Sequence, residues 1–221
     1  MGTAHIKAIV FALALSFAAG AWAAVMSVTS TSQMDITDRV DWGPLGPSGS
    51  YVPQPFHITS DHGLGMTVWK NNSSVVYQRI DLGSGYTGGF ATGDHLLYAL
   101  SPTAFDIKFD RPVRAVGTQL QRTEFGAFVA YVLAFSGDTQ IGALQLGANT
   151  SNASDGSASF VGIKSDSRNI TRVLFDSYFG GWCYINELRV QLPEPGAAGV
   201  AIVGLFALLR RTRTSRLTQP H

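Results

Sequence analysis

A chain of 221 residues that is 45% hydrophobic, 11% aromatic and only 14% charged has room for one ordinary domain plus its two ends, and holds too much apolar material to be disordered. The formal net charge is +1, but every acidic residue lies between Asp35 and Glu194 while Lys7, Arg210, Arg211, Arg213 and Arg216 sit near the ends; the body is therefore mildly acidic, which excludes nucleic acid as a partner. A lone cysteine, Cys183, excludes an intramolecular disulfide, and among its large apolar neighbours it reads as a buried, inert thiol.

Residues 1–23 begin polar with Lys7, run apolar from Ala8 to Ala19 and end in Ala21-Trp22-Ala23. The run is short for a membrane span, and Ala21 and Ala23 fit the A-x-A cleavage pattern, so the segment predicts a signal peptide, exported through Sec and cut near Ala23.

From Met26 to Leu100 glycine and proline dominate, and only MTVW (Met66–Trp69) and VVYQRI (Val75–Ile80) read as strands before the glycine loop Gly83–Gly89 and a strand at His95–Leu100. Phe105, Ile107 and Phe109 then alternate with Asp106, Lys108 and Asp110, the period of a half-buried strand. Arg111-Pro112 is expected to break that strand, with Val113–Leu120 resuming it. Phe128–Phe135 is a mostly apolar strand ending in a Ser-Gly-Asp turn, and four more strand-like runs follow within 139–148, 158–166, 170–179 and 184–192. Short, evenly spaced strands without a capped helical period predict an all-β domain over 24–191, a two-sheet jelly-roll-like β-sandwich.

The C-terminal stretch 192–216 has three parts: Pro193-Glu194-Pro195-Gly196, an apolar run over 196–209, and an arginine cluster over 210–216 beginning with Arg210 and Arg211. At ~1.5 Å per residue a helix over 196–209 covers roughly 21 Å, short of the ~30 Å hydrocarbon core, so it predicts a minimal single transmembrane helix. The arginines would hold its end on the cytoplasmic side.

The ensemble resembles the PEP-CTERM sorting signal of exported bacterial proteins. That resemblance implies recognition by exosortase, a membrane-embedded cysteine transpeptidase-like enzyme, with cleavage near Pro193-Glu194-Pro195, and an association with exopolysaccharide and biofilm. It also implies a body on the periplasmic side, anchored to the inner membrane at least transiently, then at the cell surface or in the extracellular matrix. A plain single-span anchor behind a stiff Pro-x-Pro spacer is the alternative. VDWGPLG (Val40–Gly46), GDHLLY (Gly93–Tyr98) and YINELRV (Tyr184–Val190) look like the β-sandwich bodies that precede such tails, which carry no established catalytic residues to transfer.

The body offers little chemistry of its own. His57 and His62 flank Asp61 but lack the further ligands a zinc site needs, so no metal site is expected there. Gly46–Ser50 and Gly83–Gly89 match neither a nucleophile elbow nor a phosphate loop, and no cofactor motif occurs. Glu124, Glu187 and Glu194 are the only glutamates, and strict alternation would turn Glu187 to solvent, which argues against a glycosidase pair. The loop Asn149–Ser157 around Asp155-Gly156 would suit a structural Ca²⁺ at most, an Asx-rich turn being the simpler expectation. Trp42, Trp69, Tyr77, Tyr86, Tyr178 and Trp182 supply aromatic surface for a carbohydrate platform, with Trp69 and Trp182 the two positions to test. The sequence thus predicts an exported, non-enzymatic envelope or matrix protein, with a carbohydrate-binding module acting on exopolysaccharide as the alternative.

Overall fold

The computed structural model describes residues 24–69, 77–83, 86–101, 104–177 and 182–193. The signal peptide with Ala21 and Ala23, and Glu194, Pro195, Gly196, Arg210 and Arg211 of the tail, lie outside them. Among the described residues fifteen strands form two antiparallel sheets, and helix is limited to the 3-10 turns Thr31–Gln33 and Gly43–Leu45. No helix there is long and apolar enough to cross a membrane.

One sheet has nine strands: in spatial order β1 (Val25–Val28), β12 (Phe160–Ser165), β9 (Ala115–Arg122), β14 (Cys183–Ile185), β7 (His95–Ala99), β6 (Tyr77–Asp81) and β3 (Tyr51–Val52), with β15 (Leu188–Gln191) joining β9 to β2 (Asp38–Val40). The other has six: β11 (Thr139–Thr150), β10 (Gly126–Ser136), β13 (Ile170–Ser177), β8 (Phe105–Val113), β5 (Gly65–Trp69) and β4 (Phe56–Thr59). Their inward faces meet in one core: Val116, Leu120, Ile163, Ile185 and Val190 from the first sheet lie in a single buried cluster with Met66, Val68, Phe105, Ile107, Val132 and Phe175 from the second. Burial of such side chains contributes roughly 1.5–3 kcal/mol each, which is how a disulfide-free sandwich holds together.

Alternation in β8 places Phe105, Ile107 and Phe109 in the core and Lys108 and Asp110 in solvent, as the pattern predicts. Pro112 does not break this strand, which runs on to Val113. The register against β13 jumps between the pairs Lys108↔Arg172 and Val113↔Ile170, so Arg111 and Pro112 fall in a stretch with no ladder partner on that side and the missing N–H costs nothing there. The short strands β1 to β4 carry too few residues to register as a period in the sequence.

Glu187 also departs from expectation. β14 and β15 are separate strands pairing with successive parts of β9, and Asn186-Glu187 forms the corner between them. Asn186 holds that corner: its N–H donates to Gln119 O (3.0 Å), its amide to Asp94 Oδ2 (2.6 Å) and Gln119 Oε1 (2.9 Å), and its carbonyl accepts from Trp42 Nε1 (2.9 Å) and Thr118 Oγ1 (2.8 Å). Strict alternation ends at this corner, and Glu187 lies half-buried against Arg189.

Candidate functional site

The outward face of the six-stranded sheet collects the residues with the most evident binding chemistry. In β5 the core takes Met66 and Val68, which leaves Thr67 and Trp69 on the outside. The ladder then carries two rows across the sheet: Thr67, Lys108, Arg172, Phe135 and Gln140 in one, and Trp69, Asp106, Leu174, Leu133 and Ala143 in the other. Within β10, Phe128, Ala130, Val132 and Ala134 face the core, and Tyr131, Leu133 and Phe135 are half-exposed on the other side.

Arg172 organises this face. Its guanidinium stands 4.6 Å from the Phe135 ring centroid and 5.3 Å from that of Trp69, while Nε and one terminal nitrogen donate to Asp106 Oδ1 (2.7 Å) and Oδ2 (2.5 Å). Those hydrogen bonds hold the guanidinium above its ordinary pKa, although burial pulls the other way. A planar cation over two aromatic rings, locked by a bidentate carboxylate, gathers three side chains into one fixed cluster. Next to it Pro55, Thr67, Trp69 and Lys108 line an open hollow of about 480 Å³.

Trp182 immediately precedes β14 of the other sheet, so the two candidate tryptophans do not form one platform. It is 46% exposed and stands 6.1 Å from Tyr98, which stacks on Tyr184 (4.2 Å), which in turn stacks on Tyr86 (3.9 Å). Tyr98 and Tyr184 are buried with Leu82, Phe90 and Leu96 in a small core beneath the Leu82–Asp94 segment, so Trp182 is the exposed end of a packed stack. Burial pushes the phenols of Tyr86 and Tyr184 upward. Trp42 and Tyr77 are fully buried and take no part in any surface, and Tyr178 lies outside the described residues.

No catalytic constellation assembles from the remaining candidates. Ser60 Oγ donates to buried Asp38 Oδ2 (2.5 Å), while the His62 ring bonds Thr37 O through Nδ1 (2.9 Å) and its backbone N–H donates to Asp38 Oδ1 (3.0 Å), so serine and histidine are not bonded to each other. Ser60 Oγ also accepts from Leu64 N (2.8 Å), the work of a turn brace. His57 is exposed on β4. Glu124 and Glu187 each pair with an arginine, Arg122 and Arg189. Asp155 Oδ1 accepts from Ser157 N (3.0 Å), closing an Asx turn in the Asn149–Ser157 loop, and no group of three or more His, Cys, Asp or Glu converges among the described residues. Cys183 is fully buried, donates to Ser177 Oγ (3.1 Å), and burial pushes its thiol up to about 12.

Sequence reasoning missed Arg172, Asp106, Phe135 and Tyr131. The available signal was Phe128–Phe135 itself, a run apolar on both faces although one face carries small residues.

No family model matches the chain, and no curated protein matches it. Two solved structures align with it. CsCBM6-3 from Clostridium stercorarium, in complex with cellobiose, is 11% identical over 67% of this chain and 99% of its own, with a TM-score of 0.33. TmCBM61, in complex with β-1,4-galactotriose, is 12% identical over 58% of this chain and 88% of its own, with a TM-score of 0.29.

Proposed function

We propose that this chain is an exported, non-enzymatic, jelly-roll-like module that binds polysaccharide across the outer face of its six-stranded sheet. The observation that carries the reading is Arg172 held against Trp69 and Phe135 by Asp106, beside an open hollow. An aromatic row costs solvation when left uncovered, and a face built this way recovers that cost when a flat, hydroxyl-bearing ligand lies on it. Affinity electrophoresis through gels containing hydroxyethylcellulose, galactan, dextran or alginate tests it. Wild type should be retarded by at least one gel, and Trp69→Ala should weaken that binding by about tenfold or more, the loss of ~1.5–2 kcal/mol expected of a central aromatic anchor. Trp182→Ala, altered on the other sheet, should leave the retardation unchanged. Wild type running freely in every gel overturns the reading.

Delivery is the second part of the proposal. Ala21-Trp22-Ala23 would release the body after export, and Pro193-Glu194-Pro195 with the apolar run 196–209 and Arg210-Arg211 would be recognised by exosortase at the inner membrane. Pro193 lies two residues past the end of β15, so cleavage there would leave both sheets intact. Mass spectrometry of the exported product should find no peptide beyond the Pro-Glu-Pro region. A membrane-bound product still ending in His221 would instead make the tail a plain anchor.

A further inference from the structure

On the far side of the molecule, the outer face of the nine-stranded sheet carries a second hollow of about 430 Å³, within the ~300–1,000 Å³ range of small-molecule pockets. Its walls differ from those of the first. Gln119 of β9, Phe160 of β12 and Arg189 of β15 rise from the sheet, Glu187 stands at the Asn186 corner, and Ser30 and Thr31 form the rim. Gly117 contributes to the shape by having no side chain: a Cβ there would stand 2.6 Å from the Phe160 ring, which leans over it.

The polar groups are fixed rather than free-swinging. Gln119 Nε2 donates to Gly156 O (2.7 Å) and Ala158 O (3.1 Å), and its Oε1 accepts from Asn186 Nδ2 (2.9 Å). Glu187 pairs with Arg189, both side chains about three-quarters buried at 23% and 26% exposure. Burial raises the Glu187 carboxyl, Arg189 and Arg39 oppose that, and Asp94 and Asp41 add to it. The two charges are paired, so together they give the hollow no net charge. It offers the Phe160 ring, the rim hydroxyls of Ser30 and Thr31, and the lone pairs and N–H groups that Glu187 and Arg189 do not spend on each other, while both Gln119 Nε2 protons are already donated and only its Oε1 can still accept.

We propose that this hollow is a second saccharide site, taking one short stretch or end of a neutral glycan, so that the sandwich is bivalent. The idea rests on the polysaccharide reading for its partner, but it uses a different face and different residues. Because the two sheets share one core between them, their outer faces point apart, and two chains held there cannot be one chain folded over a single surface. The consequence is cross-linking: each molecule would tie two polysaccharide strands together, and avidity would exceed either affinity.

The test uses the exported chain, titrated calorimetrically with cello-, galacto-, xylo- and isomalto-tetraose, and mixed with the parent polysaccharides while light scattering is followed. Two sites per chain are expected for wild type, with scattering that rises as strands are joined. Arg189→Ala, and Thr31→Trp as a rim plug that removes no hydrogen-bonding partner of the fold, should each reduce the count to one and abolish the scattering while retardation in gels persists. Trp69→Ala should reduce the count to one by removing the other site. A wild-type stoichiometry of one that Trp69→Ala abolishes and Thr31→Trp leaves alone overturns the second site but keeps the first. A single site with the opposite response supports the hollow and overturns the platform. No binding of any tetraose or polysaccharide overturns both.

Discussion

Replacing Trp42 by alanine is expected to cost about 4 kcal/mol of folding stability, within the ~3–5 kcal/mol found when a buried large aromatic is truncated. Trp42 is fully buried at the end of β2 in the shared core, and its indole N–H donates to Asn186 O at 2.9 Å. Two losses therefore combine, the cavity and the tie to the corner that sets β15 beside β9. Trp42→Phe separates them. It restores most of the ring volume, and Asn186 O keeps the Thr118 hydroxyl at 2.8 Å, so no buried acceptor is left bare. Its cost should be about 1–2 kcal/mol, chiefly one net hydrogen bond and some misfit. Urea unfolding measures both, the midpoint moving while the slope stays constant. An unfolding free energy for Trp42→Ala within about 1 kcal/mol of wild type would show that the corner does not depend on this residue.

Much of this fold could be read from period and punctuation. β8 alternates strongly enough that its core face follows from the residues alone, and Phe105, Ile107 and Phe109 are where the alternation puts them. The errors arose where a residue's role depends on its neighbour strand. Pro112 looks like a terminator until the register jump opposite it is known. Glu187 looks exposed until Asn186 is seen to turn a corner there. Trp42 and Tyr77 could have been platform or core, and sequence does not separate them, because an aromatic before a glycine turn, or at the start of a short strand, suits either.

The candidate binding face is less legible than the fold for the same reason. Trp69, Asp106, Phe135 and Arg172 come from four strands spread over more than a hundred residues, and only the ladder registers bring them together. The tail is the reverse case. Pro193-Glu194-Pro195, the apolar run and the arginines are contiguous, so a motif is enough to propose an address there, whereas what the body does depends on contacts no motif records.

The Arg172–Asp106 pair gives the sharpest energetic prediction, because its two members are buried unequally. The Asp106 side chain is 7% exposed and that of Arg172 is 24% exposed. Arg172→Ala leaves a carboxylate in the sheet with no partner cation, and its long side chain also withdraws from Trp69 and Phe135. Asp106→Ala leaves a guanidinium that can extend to water along its own stem. Breaking a buried pair from the stranded side costs ~3–5 kcal/mol, and partial exposure lowers that, so Arg172→Ala should cost about 3 kcal/mol and Asp106→Ala about 1–2 kcal/mol. The double variant should be no less stable than Arg172→Ala alone, since the stranded carboxylate is then gone, which makes the pair strongly non-additive. Binding should follow another order: both single variants disturb the Trp69–Arg172–Phe135 cluster, and each should weaken retardation in the polysaccharide gels even where stability is little changed. Asp106→Ala proving costlier than Arg172→Ala would mean that the cation, not the carboxylate, is the group the sheet cannot leave alone. Full retardation in both variants would mean that Trp69 needs no locked neighbour, and that the ligand rests on the tryptophan by itself.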